Sequence, residues 1–260
     1  MNSLKRIICA LLVTAAAALG SSQAHTLDSA AARISRPVVH SAPPAGPDDF
    51  KDALSIVLNR MMASYATKVK QPLRIDVLDT SHDSVARFFS GISGGAFDPH
   101  TILAVNFDAR AKINGQRTAA CLVQYNSGRR QDLLSGYETS RIFNKQEILY
   151  FIAAHEFGHC MAFHQEDMGH RLGLSNKDHE LLADKVAVTF FMVNGRAESA
   201  QRVVDFNRKL VGDELHSHPE KLQDYHDRLS RFMQGKNARE LVSSMYDVYR
   251  IATGAIKLGY

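Results

Sequence analysis

The chain lacks any apolar run long enough to cross a bilayer comfortably, and even the longest, at residues 7–19, falls short of the ~20 residues a span needs. Residues 148–154 run straight into His155 and Glu156, and 186–193 are far too few for a span. Cysteine is scarce, with three in 260 residues, which excludes a small scaffold held by a dense disulfide framework. Charge of one sign is also lacking. The formal net charge is +4, and so slight a balance argues against nucleic acid or an acidic membrane as the main partner. No internal repeat is present, and low-complexity sequence is confined to the region before Asp48. The remainder reads as ordinary globular sequence.

What is there begins with an export signal. Lys5 and Arg6 precede the apolar, alanine-rich stretch 7–19, and Ser22-Gln23-Ala24 puts small residues where a signal peptidase reads. Cleavage before His25 is therefore expected, since an uncleaved anchor would need a span of ~20 residues. Cys9 lies before most of the apolar stretch rather than after it, which argues against a lipoprotein. The expected organisation is a signal peptide at 1–24, a flexible leader at 25–48 rich in proline (Pro37, Pro43, Pro44, Pro47), and one domain at 49–260. The mature protein is expected in the periplasm or outside the cell, soluble and without a transmembrane segment. Export leaves Cys121 and Cys160 in an oxidising compartment, where one disulfide or two separate buried thiols are both open readings.

Periodicity divides the domain in two. Leu54, Val57, Leu58, Met61 and Met62 recur at helical spacing behind a cap at Asp48 or Asp49. Alternation then marks strands at Leu73, Ile75 and Val77, at Leu103, Val105 and Phe107, and at Cys121, Val123 and Tyr125. A short helix near Asp83 to Phe89 and a turn at Gly91, Gly94 and Gly95 separate the first two. A small mixed sheet with mostly antiparallel pairing is expected. From Asn144 onward the chain reads helical: Asn144 with Glu147 forms a capping box, Ser175 opens a helix closed by Asn194-Gly195, and further helices fall near 197–211, 219–234 and 237–252. In the last, Leu241, Val242, Met245, Val248 and Tyr249 make one apolar stripe.

Chemistry concentrates in His155-Glu156-Phe157-Gly158-His159. Histidines four apart on a helix share a face, so two imidazoles can close on one zinc ion, with Glu156 beside that face to take a proton from water. Ile148, Leu149, Phe151, Ile152 and Phe163 demand burial of the same helix, and buried histidines need partners. A catalytic zinc takes three protein ligands. A metzincin would have glycine at 162 and histidine at 165, where this chain has Ala162 and Gln165, with His164 one place out of register. The gluzincin solution takes a glutamate from a following helix, and Glu180 in Glu180-Leu181-Leu182-Ala183-Asp184 supplies it. Asp184 shares the face of Glu180 and can accept a hydrogen bond from a ligand histidine. His179 and His170 remain rival third ligands.

HEFGH followed by ELLAD resembles the gluzincins, and E-x-x-A-D is most similar to the CAAX prenyl protease type I and HtpX-like peptidase family. Residues 144–194 carry the likeness, supported by Ser217-His218-Pro219, which is similar to a downstream His-Pro segment of that family. The resemblance implies an α+β zincin-like domain, with a small N-terminal sheet lobe, a helical C-terminal lobe and one Zn2+ in the cleft between them. It implies a zinc metalloendopeptidase that acts on protein or peptide substrate, with His155, His159 and Glu180 as ligands and Glu156 as general base. His218 becomes the candidate oxyanion donor, with His216, Tyr225, His226 and Arg228 as alternatives from the same stretch. By the same analogy strand 118–125 would offer its edge to an extended substrate. The chain departs from many relatives in having no membrane span after its signal, and their Asn-Ala-Phe-type segment is not recognisable. Two other functions fit the residues: a zinc hydrolase of a non-peptide or cell-wall substrate, and a catalytically silent zinc-binding module.

Overall fold

Leu54, Val57, Leu58 and Met61, the expected apolar stripe, form the buried face of the first helix, α1 (Asp49–Ala66). The computed structural model describes residues 49–79, 103–108, 112–113, 116–129, 143–170, 172–210, 213, 217–235 and 242–258. The signal peptide, the leader, the helix near Asp83 to Phe89 and its glycine turn lie outside the described residues.

The three alternating segments form the strands β1 (Leu73–Asp79), β2 (Leu103–Asp108) and β5 (Ala119–Tyr125). Two short pieces, β3 (Lys112–Ile113) and β4 (Gln116–Arg117), make a separate antiparallel ladder. The main sheet has the order β1-β5-β2. It is mixed as expected, but not mostly antiparallel. β5 inserts between the other two, parallel to β1 from Leu73↔Ala119 to Asp79↔Tyr125 and antiparallel to β2 from Leu103↔Tyr125 to Asp108↔Ala120. Both edges of β5 are thereby occupied, so the expected substrate edge at 118–125 is corrected: this strand has no free side to offer. Alternation specifies which face of a strand is buried, not which neighbour it takes.

Helices follow from Asn144. The longest, α2 (Lys145–Asp167), starts in the expected capping box: the Glu147 N–H donates to Asn144 Oδ1 at 2.9 Å and the Asn144 N–H to Glu147 Oε2 at 3.0 Å. Ser175 caps α3 (Asn176–Val193), which ends at Asn194 with Gly195 at φ 72°. Next come α4 (Ala197–Lys209), α5 (Pro219–Met233) and α6 (Met245–Ala252). The last helix begins later than its apolar stripe suggested, because Ser244 and Asp247 form a capping box there. Helix α3 packs against α2, α4, α5 and α6, while α2 also meets α1, β2 and β5. The architecture is mixed α+β, mostly helical, and no helix among the described residues is long and apolar enough to cross a membrane.

Of the two readings of the cysteines, the disulfide is the one formed. Cys121 on β5 is bonded to Cys160 on α2, with Cα atoms 5.7 Å apart across a sequence separation of 39. Closing such a loop in the unfolded chain is worth about 4 kcal/mol on chain-entropy grounds. It ties the sheet to the helix that carries both candidate histidines.

On the opposite side of α2, His164 is fully buried. The Tyr65 hydroxyl shares a hydrogen bond with His164 Nδ1 at 3.0 Å and accepts another from Gln165 Nε2 at 2.7 Å. Burial, opposed in part by Asp167, pushes the His164 imidazole down to about 4. The folded state therefore keeps this ring neutral where the unfolded chain already binds a proton. Stability should fall as pH drops below about 6.5 and level off below about 4. Melting temperatures in chelator across that window should show His164→Gln losing part of the wild-type slope; parallel curves would mean the ring does not contribute.

Candidate metal centre

Glycine inside a helix costs about 1 kcal/mol relative to alanine, and Gly158 has a visible reason to be there. A Cβ at this position would lie 2.9 Å from the Cα of Ala183 and 3.3 Å from Val186 Cβ. Helices α2 and α3 thus touch backbone to backbone where Gly158 of HEFGH meets Ala183 of ELLAD. His159 flanks this crossing on one helix and Glu180 lies three residues before it on the other. The close approach brings side chains from both helices to one point.

His155 and His159 stand one turn apart, with ring centroids 4.9 Å from each other. His155 Nε2 lies 3.2 Å from His159 Nε2 and 3.2 Å from Glu180 Oε2, and His159 Nε2 lies 3.5 Å from Glu180 Oε2. A tetrahedral ion with bonds of ~2.0–2.1 Å has donor atoms roughly 3.3 Å apart. The three observed separations are those of one face of such a tetrahedron. His155, His159 and Glu180 could therefore hold a metal ion.

Protonation supports the same conclusion. His155 Nδ1 is 2.9 Å from Asp184 Oδ1. A carboxylate only accepts, so Nδ1 carries the hydrogen and Nε2 of the neutral ring presents a lone pair. That lone pair faces the Glu180 carboxylate and the second imidazole, and such a set needs a cation or a proton at its centre. Burial alone would lower the His155 value, but hydrogen bonds to Asp184 and Glu180 and the charges of Asp184 and Glu156 raise it well above the usual imidazole range. Burial raises Glu180, yet His155 and His159 outweigh it and hold this carboxyl far below the carboxylate range. The side chains of His155, His159 and Glu180 keep 14%, 10% and 17% of their surface, so the point where they converge is not sealed from solvent.

The rival ligands sit elsewhere. His179 stacks on Phe163, with centroids 5.2 Å apart, and its Nε2 is 3.9 Å from Glu166 Oε1. His170 is exposed beyond the end of α2. Glu156 is buried, and its negative charge is among those that raise His155. Asp184 takes the place expected of it, holding His155. Its other oxygen, Oδ2, accepts from Asn207 Nδ2 at 2.8 Å, and Asn207 Oδ1 accepts from the backbone N–H of His218 at 2.6 Å.

Sequence reasoning did not single out Asn207. It lies in a helix of mostly polar residues, and only its near-complete burial distinguishes it from a solvated amide. His218 is buried at the N-cap of α5, joined to the metal group through Asn207 and Asp184. The alternatives to His218 have other engagements: Tyr225 bonds Thr189, His226 bonds Asp227, and Arg228 pairs with Asp224. His216 lies outside the described residues. A surface depression of about 480 Å³ between α4 and α5, lined by Arg208, Pro219 and Asp224 among others, contains none of the metal group.

No family model, no curated protein and no solved structure matches the chain.

Two substitutions test the geometry. Glu180→Ala should lower bound metal sharply, as read by elemental analysis of the purified protein. Full occupancy in that variant rules out Glu180 as a ligand. Gly158→Ala should force the helices apart at Ala183, destabilise the fold by about 1–3 kcal/mol and weaken metal binding. An unchanged denaturation midpoint would mean that the helices do not meet this closely.

Proposed function

We propose that the protein is a zinc-dependent metalloendopeptidase, an exported chain of gluzincin type most similar to the CAAX prenyl protease type I and HtpX-like peptidases. The observation that carries this reading is the convergence of two imidazoles and a carboxylate from HEFGH and ELLAD, with a neighbouring carboxylate, Glu156, left out of the set. Two nitrogen donors and one oxygen donor suit zinc. When bound, zinc supplies Lewis-acid polarisation and a water of lowered pKa.

The chain's own residues divide the remaining work. Glu156 follows His155 by one residue, about 100° further round the helix, so it cannot share the ligand face. Its carboxylate accepts the proton of the attacking water and returns it to the leaving amine nitrogen. Asp184 keeps hydrogen on His155 Nδ1 and so keeps the Nε2 lone pair turned toward Glu180 and His159. His218, tied to Asp184 through Asn207, is the candidate donor to the developing oxyanion. The disulfide between Cys121 and Cys160 supports maturation in the periplasm or outside the cell, since such bonds persist in oxidising compartments.

Glu156→Gln separates a peptidase from a metal-binding scaffold. Zinc content and melting temperature should stay near wild type, while peptide hydrolysis should fall about 10²–10⁴-fold. A variant that cleaves peptides as fast as wild type would sink the mechanism, whatever its metal content.

A further inference from the structure

We propose that Asn207 is a positioning residue for the metal centre, fixing the Asp184 carboxylate against His155 and registering His218 to the same group. The inference rests on the zinc reading of His155, His159 and Glu180. Asn207 is 1% exposed and lies in the last turn of α4. Its amide is read at both ends: Nδ2 donates to Asp184 Oδ2 at 2.8 Å and Oδ1 accepts from the His218 N–H at 2.6 Å. Turning the amide over would set oxygen against carboxylate and N–H against N–H, so its orientation follows from its neighbours.

The consequence falls on Asp184. With Oδ1 taken by His155 Nδ1 and Oδ2 by Asn207, both oxygens are engaged and the carboxylate plane is set. A charge-assisted bond of this kind is stronger than a neutral one. It lets Asp184 aim the imidazole rather than merely sit near it. Asparagine is needed because one group must donate on one side and accept on the other. Aspartate could do only the second, and leucine neither.

The helix behind Asn207 is itself anchored. Helix α4 is fastened near its start to the first turn of the metal helix, where Ser199 Oγ and Arg202 Nη1 each donate to Glu147 at 2.6 Å. Glu147 is the same carboxylate that caps α2. Asn207 follows Arg202 by five residues, roughly 7.5 Å along the helix. One helix is therefore hydrogen-bonded to the beginning of α2 and to the group that holds His155 in its middle. The first bond gives the second its precision.

The test uses the full mature protein and zinc itself, titrated against a competing chelator, with folding followed separately in the metal-free form. Asn207→Asp should keep the bond from His218 but set two carboxylates face to face, and zinc affinity should fall about 10–100-fold. Asp184→Asn should weaken binding to a similar degree. The exchanged pair Asp184→Asn with Asn207→Asp restores a donor opposite an acceptor, and it should bind zinc more tightly than Asn207→Asp alone. A structural role elsewhere in the fold would not produce that recovery. Wild-type affinity in Asn207→Asp, or an exchanged pair no better than Asn207→Asp alone, overturns the positioning role while leaving the zinc site standing. Failure of the wild-type protein to bind zinc overturns the site reading and this inference with it.

Discussion

Where Gly158 meets Ala183, helices α2 and α3 approach so closely that no side chain fits between their backbones, and the position of Glu180 relative to His155 and His159 follows from that approach. Moving the helices apart by the width of a methyl group would carry Glu180 away from His155 and His159, whose mutual spacing is set within a single turn. Glu180 is the only one of the three that tertiary packing must deliver. The small residues at the crossing and the ligands beside it belong to the same two short segments, so the requirements of packing and of chemistry are met together.

Burying this much charge needs compensation. Glu156, Glu180 and Asp184 crowd around two histidines, and in a partly desolvated site three carboxylates repel one another strongly. A divalent cation held by His155, His159 and Glu180 would offset much of that repulsion. The other buried carboxylates among the described residues are matched by hydrogen bonds instead. Glu147 accepts from Ser199, Arg202 and the Asn144 N–H, which together hold its carboxyl below the usual range despite its burial. Asp247 accepts from the backbone and side chain of Ser244. Among the described residues, the candidate metal group is the one that brings carboxylates and ring nitrogens to one point.

Helix α2 is held from three directions. Its first turn is fixed by Glu147 to α4, its middle by the disulfide from Cys160 to β5, and its last turns by the Tyr65 contact to His164 and Gln165. Cys160 immediately follows His159 of the candidate metal group, so the covalent tie acts beside that group. The result is a rigid element carrying both histidines, on which a second helix lays the third donor. Sites built on helices braced in this way hold their geometry better than sites built on loops.

Much of this was written locally in the chain. The caps at Asn144 and Ser175, the closure at Asn194-Gly195 and the alternating strands are readable because each depends on residues a few positions apart. His155 and His159 are readable for the same reason: one helical turn determines their spacing. Glu180 and Asp184 were legible as a pattern, since both sit on one face of a capped helix with apolar neighbours. What the sequence by itself could not determine were relations between distant segments. Insertion of β5 between β1 and β2, which removed the edge expected at 118–125, depends on the pairing of β5 with β1, more than forty residues earlier. The bond between Cys121 and Cys160 depends on how the sheet meets α2. Asn207 acquired its importance only through burial against Asp184, because an asparagine among polar helix residues carries no mark of the neighbour it will find. Local hydrogen bonding and periodicity specify elements and faces. Partners across the fold are chosen by packing, and that choice exists only in the tertiary structure.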